Sequence, residues 1–238
     1  MVTINLYKGD YNVTNTLYWG NSRNNVKTLI INGNDNIIDA HHYSFITVES
    51  GYKLELHNFK IKKAYGDKGS VIYNKGTVNI YSCKFQNNYA QNSGSAIYNK
   101  GTVNVYDSLF INSSSYGNGG VIYNDHGNLK IKNGSFTNNY AYDNGGVIYN
   151  NNGKLNITNS YFSFNTATRG GAIYTTGLTN ITSTTMKNNQ ANNGGNGGAI
   201  YNDKKTTTIT NSKLLSNKAN NGGAIYNNKR LCQKLCGF

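Results

Sequence analysis

The 238-residue sequence predicts an all-β fold, a single parallel β-solenoid with about 25 residues and three short strands in each coil. Three observations carry that prediction. The first is a block, Gly-Gly-Ala/Val-Ile-Tyr-Asn, that recurs seven times with small variations. Its tyrosines are Tyr73, Tyr98, Tyr123, Tyr149, Tyr174, Tyr201 and Tyr226, at intervals of 25, 25, 26, 25, 27 and 25 residues. Self-similarity at such a period is the mark of stacked repeats. The second is composition: 44 Asn, 27 Gly, 20 Tyr and no Pro. Asn and Gly disfavour helix interiors and favour turns, while ordinary disorder is Pro-rich and poor in aromatic residues. The third is that each period holds only short extended segments, none long enough to be stable alone.

The elements of one coil follow a fixed order. After the block comes a turn, often with Gly (Lys75-Gly76, Lys100-Gly101, Asn152-Gly153). An alternating run follows, as in Thr77-Val78-Asn79-Ile80 and Lys154-Leu155-Asn156-Ile157. Period-two alternation places Val or Leu and Ile on one buried face. Next comes an apolar residue three positions before Asn: Phe85 to Asn88, Phe136 to Asn139, Phe162 to Asn165, Met186 to Asn189 and Leu214 to Asn217. The copy at Phe110 departs, with Ser113 in place of Asn. A small residue, often Ala (Ala90, Ala141, Ala167, Ala191, Ala219), leads into the next Gly-Gly. Stacking such coils sets Ile over Ile, Phe over Phe and Asn over Asn, the last as amide ladders. Gly-Gly allows a tight turn, and a Pro would remove a ladder donor.

Three regions follow. Residues 1–64 lack the block but read as strand and turn, as in Thr28 to Gly33 and Asn36 to Asp39, with Met1 to Ser22 expected to cover part of the open end. Residues 65–228 are the seven-fold repeat, and residues 229–238 form a non-repeat tail. The start of the chain lacks the basic segment and apolar core of a secretion signal, and the end stops just after a repeat begins. Both suggest a piece of a longer exported protein or a shortened gene, and an uncovered last coil invites self-association by edge pairing.

Charge and cysteine usage narrow the function classes. Lys and Arg exceed Asp and Glu by 23 to 10, a formal charge of +13. The lysines are spread thinly, without an Arg-rich run, so no specific nucleic-acid role is expected. Hydrophobic residues make up 37% of the chain, and no stretch approaches the roughly 18 apolar residues of a membrane helix. Cys83, Cys232 and Cys236 form no C-x-x-C pair, and His41, His42, His57 and His126 complete no zinc set. Cys83 occupies a position held elsewhere by Ser108, Ser160, Thr184 and Ser212, which reads as a small packing residue. Cys232 and Cys236 lie in the tail and leave pairing with each other or with another chain open. No metal or cofactor is expected.

The paired motifs Gly-Gly-Ala-Ile (Gly170 to Ile173) and Phe-x-x-Asn (Phe136 to Asn139) resemble the repeats of chlamydial polymorphic outer membrane proteins. With the Asn/Thr-rich strands and the segment Ile31 to Asp39, the pattern also resembles the adhesin-like surface proteins of methanogenic archaea. The resemblance spans about residues 28 to 228. It implies a secreted, right-handed parallel β-helix of the pectin lyase type, used in attachment at a cell surface; the usual crossover rule gives the same hand. The chain carries no autotransporter barrel and no wall anchor.

The alternative is a polysaccharide lyase or hydrolase, which needs paired carboxylates about 5–10 Å apart or carboxylates that hold calcium. Asp67 and Asp143 share one repeat position but lie three coils apart, roughly 14 Å at 4.8 Å per coil. Asp125 and Asp203 are separated in the same way, Asp107 has no partner in register, and Asp35, Asp39, Glu49 and Glu55 beside His41-His42 form at most a small acid cluster. Asn193 to Gly198 lacks the Asp of calcium-binding glycine-rich repeats and reads as a longer turn. The expectation is therefore a non-catalytic chain, either an attachment segment or a mechanical stalk of a larger surface protein. The expected interaction feature is the tyrosine column. Ile and Tyr are adjacent in each block, so core-facing Ile72, Ile97, Ile122, Ile148, Ile173, Ile200 and Ile225 turn the seven tyrosines outward, toward cell-surface glycans or proteins. The competing reading is that the tyrosines only stack and protect their strands. Sequons occur at Asn12, Asn112, Asn133, Asn156 and Asn180.

Overall fold

Alternating side chains on short strands bury one face only when strands stack, and parallel stacking needs each strand to recur one coil later. The computed structural model, which describes residues 1–20 and 25–228, does this with nine-stranded parallel ladders. The first runs through Val2–Asn5, Thr28–Asn32, Lys53–His57 and Thr77–Tyr81 up to Thr207–Thr210. The second includes Tyr11–Asn12, Ile37–Asp39, Lys84–Gln86 and Ser135–Thr137, and ends at Lys213–Leu215. The third contains Leu17–Trp19, Ile46–Val48 and every block, from Ile72–Asn74 to Ile225–Asn227. The chain is thus a β-solenoid of nine coils, without a helix among the described residues. Eight intervals at 4.8 Å give a stack about 38 Å tall.

One expectation is corrected. Three strands per coil holds for the outer coils, but six coils add a fourth, from Tyr65–Lys68 and Tyr89–Ser93 to Gln190–Ala191. Four of its strands are only two residues long, with Ala or Ser inward and Tyr, Thr, Ser or Gln outward, too short for alternation to register. The first residues follow the same ladders. Residues 1–20 contribute a strand to each long ladder, with Ile4 paired to Ile31, Tyr11 to Ile38 and Tyr18 to Thr47, and so form a first coil. Thr28–Asn32 and Ile37–Asp39 lie in different ladders, on successive sides of the next coil. The tail, with Cys232 and Cys236, lies outside the described residues.

Like lies over like inside. Phe85, Phe110, Phe136 and Phe162 are fully buried, with ring centroids 4.6, 4.8 and 4.7 Å apart. Cys83 is buried beside them, and burial pushes its thiol up to about 12, consistent with a packing residue. The buried asparagines form two amide ladders. Asn74 donates to Asn99 (2.8 Å), Asn99 to Asn124 (2.7 Å) and Asn124 to Asn150 (2.8 Å), where the series passes to the Thr175 hydroxyl (3.1 Å). Asn139 donates to Asn165 (3.1 Å), Asn165 to Asn189 (2.9 Å) and Asn189 to Asn217 (3.0 Å).

Glycine is required at the corner before each block. Gly145 has φ +67°, and a Cβ there would lie 2.2 Å from the Ile148 carbonyl oxygen. Gly194, by contrast, sits in the lengthened turn with nothing within 4 Å of a Cβ.

Ser113 interrupts the second amide ladder, and the buried Asn88 Nδ2 is left without a hydrogen-bond partner. An unsatisfied buried amide costs about 1–3 kcal/mol. Ser113→Asn is expected to restore the ladder and raise stability by about 1 kcal/mol. Thermal unfolding checks this, and an unchanged or lower Tm would show that Ser113 sits in a slot too small for Asn.

Candidate functional site

Because Ile and Tyr alternate on their strand, the seven block tyrosines leave the core together. Their Cα atoms pair coil to coil without a register slip. The rings form one continuous stack from Tyr73 to Tyr226, with successive centroids 5.2, 5.0, 4.9, 4.9, 4.9 and 5.0 Å apart. The column is not freely exposed, however. Tyr98, Tyr174 and Tyr201 retain only 7%, 5% and 5% of their accessible surface, because each ring covers its neighbour's face. Basic side chains at the glycine corners flank the rings. Lys68 Nζ lies 5.8 Å from the Tyr98 centroid, and the Arg169 guanidinium lies 5.4 and 5.6 Å from those of Tyr174 and Tyr201. The column therefore presents ring edges and hydroxyls.

Burial raises the hydroxyl pKa values of Tyr98, Tyr123, Tyr149, Tyr174 and Tyr201 within the column. It pushes Tyr123 up to about 12, aided by the nearby Tyr149 and Asp125. Tyr98 is raised by burial and by Asp125, whose carboxylate accepts its hydroxyl proton at 2.8 Å. Burial pushes the Asp125 carboxyl up, but hydrogen bonds from Tyr98, His126 and Asn151 outweigh that and hold it below its ordinary range.

The repeat has more exposed tyrosines elsewhere, several of them on the fourth ladder and the corner after it. Tyr116, Tyr142, Tyr140 and Tyr65 keep 61%, 50%, 41% and 37% of their surface. Tyr116 stacks on Tyr142 at 4.8 Å, and Tyr65 on Tyr89 at 5.4 Å. Sequence reasoning passed over them because they do not recur in every coil. The signal was a Tyr directly after the Phe-x-x-Asn motif, at Asn88-Tyr89 and Asn139-Tyr140.

The acidic residues are dispersed around the coils. Asp35 pairs with Lys60 (3.1 Å), Asp39 with Lys63 (3.0 Å) and Lys62 (3.4 Å), Glu49 with Lys75 (2.9 Å), and Glu55 with Lys53 (2.6 Å) and His57 (3.3 Å). Asp39, Glu49 and Glu55 thus sit on different sides of the solenoid, each with its own cation, and do not form the small acid cluster considered from sequence. Among the described residues no group of three or more His, Cys, Asp or Glu is arranged to hold a metal ion. All five sequon asparagines are exposed.

Comparison with known proteins agrees with this geometry. Residues 82–100, 133–151 and 183–203 match the Chlamydia polymorphic membrane protein repeat. Each match runs from the turn before the Phe-x-x-Asn position through the block, so the chain carries repeats of this type in alternate coils. The intervening coils are those in which Ser113 and Thr175 replace the expected asparagines. No curated protein matches the chain, and no solved structure does.

The stack makes the tyrosines part of the structure. Tyr149→Ser is expected to cost about 1–3 kcal/mol, the scale of burying a large side chain, where a freely exposed ring would cost under about 0.5 kcal/mol. Urea unfolding distinguishes the two. The raised hydroxyls also set a pH limit with a definite sign. These five tyrosines unfold into an ordinary pKa near 10 but are held higher in the fold, so above that pH the unfolded chain loses more protons. Their contribution is fully present below about pH 10 and is lost as the pH rises toward 12. Tyrosinate absorbance and circular dichroism followed together should rise and collapse over that window; a single tyrosinate midpoint near pH 10 for every tyrosine, with the fold intact, would contradict it.

Proposed function

We propose that this chain is a non-catalytic attachment segment of a cell-surface protein, contacting glycans or proteins through tyrosines along its outer edge. The observation that carries the reading is the set of exposed tyrosines Tyr65 and Tyr140 on the fourth ladder and Tyr116 and Tyr142 at the corner after it. Tyrosine supplies a flat apolar face and a hydroxyl with little conformational entropy to lose, which suits contact with sugars and with protein surfaces. The match to a membrane-protein repeat supports a place at the cell surface. The resemblance to archaeal adhesin-like proteins, carried by the same motifs, points the same way. Ion pairing and dispersal of the carboxylates argue against glycoside hydrolysis, which needs two acids facing one bond.

Attachment of labelled protein to intact cells tests the reading. The triple variant Tyr116→Ser, Tyr140→Ser, Tyr142→Ser should bind at least tenfold more weakly, since about 0.5–1.5 kcal/mol per aromatic contact sums to more than the 1.4 kcal/mol of a tenfold change. Its unfolding curve should be nearly that of the wild type. Attachment unaffected by the three changes would leave the chain as a stalk that only spaces another domain from the cell.

A further inference from the structure

The tyrosine column has a lower end, and its geometry differs from every other point along the stack. Tyr73 is paired in register not with another tyrosine below but with Thr47, and Thr47 in turn with Tyr18. The column is thus broken by one coil, with an aromatic ring on either side of the gap. From Gly69 upward a glycine corner precedes each block, with Lys68 and Arg169 beside the rings. In the two coils below, Ser44 and Thr16 border the gap. The result is a groove of about 360 Å³, lined by Tyr18 and Tyr73, by Thr16, Ser44 and Thr47, and by Asp67 and Lys68. That volume lies at the small end of ligand sites.

We propose that this groove seats a single neutral pyranose ring. This rests on the glycan-binding reading above and gives it a site. Tyr18 and Tyr73 stand two coils apart, about 9.6 Å at 4.8 Å per coil. A ring held between two aromatic faces needs carbon contacts of about 4 Å on each side, so the gap suits one puckered saturated ring. A pyranose offers C–H groups to both faces and hydroxyls around its rim. The rim meets Asp67 as acceptor, Lys68 as donor, and three hydroxyl side chains able to do either. Neutrality of the ligand follows from charge balance at the lips. Asp67 and Lys68 line one side; on the other, Lys75 lies 5.8 Å from the Tyr73 centroid and is tied to Glu49 at 2.9 Å. Tyr18 is 72% exposed, so its upper face has little apolar cover of its own.

Saturation-transfer NMR on the full chain tests the site, with methyl α-glucopyranoside, methyl β-galactopyranoside and methyl α-mannopyranoside as probes and acyclic sorbitol as control. At least one pyranoside should receive saturation on its ring C–H protons, well above sorbitol. Thr47→Tyr, which completes the column and fills the gap, should cut that transfer at least fivefold, while Tyr161→Ser, an exposed tyrosine on the second ladder, leaves it unchanged. Tyr18→Ser alters only an exposed ring and should weaken transfer with the fold intact, which guards against a misfolded Thr47→Tyr. No transfer above sorbitol with the wild-type chain, or transfer undiminished in both Thr47→Tyr and Tyr18→Ser, overturns the proposal. Cell attachment by wild-type protein that gives no pyranoside signal would overturn the groove while leaving the attachment reading standing.

Discussion

Axial registry is the constraint on which this molecule depends. Each coil satisfies its backbone through hydrogen bonds to the coils above and below, and these bonds hold corresponding residues one strand spacing apart. Once that spacing holds, side-chain chemistry becomes columnar. Phenylalanines fill the interior at 4.6–4.8 Å, and asparagines hand a hydrogen bond from coil to coil. A departure in one coil is felt in the next, as when Ser113 leaves the Asn88 amide without an acceptor.

The same registry decides which aromatic residues are available for contact. A tyrosine repeated in every coil stacks on itself and spends both faces on its neighbours; one repeated irregularly stacks on one side at most, as Tyr116 does on Tyr142. Thus the most regular tyrosines became structural, with three of the seven at 7% exposure or less, while Tyr116, Tyr140 and Tyr142 remain open. Interruption of a column, rather than its continuation, is what leaves an aromatic face uncovered. The Thr47 gap is the clearest instance.

Much of this was legible in the sequence because strand geometry alone dictates it. The block interval specified coil length, and the Ile-Tyr adjacency specified which side chain enters the core. The alternating runs and the Phe-x-x-Asn motif located two further ladders. What escaped depends on heights and neighbours that a linear pattern does not encode. Whether the tyrosine column is exposed turns on how closely each ring lies over the next, and the fourth ladder has strands too short to alternate. The first coil lacked the block, so only its pairing with Leu29 to Asn32 and Thr47 reveals it as a coil.

The turn around Gly194 carries an evolutionary consequence. It absorbs extra residues on the outside, where Gly194 has nothing within 4 Å of a Cβ, while the ladders on either side continue in step. Corners of this kind can therefore accept inserted loops of new chemistry without retuning the interior. Diversification at the rim and conservation of the stack are separable, which lets such a surface vary freely while its scaffold stays the same.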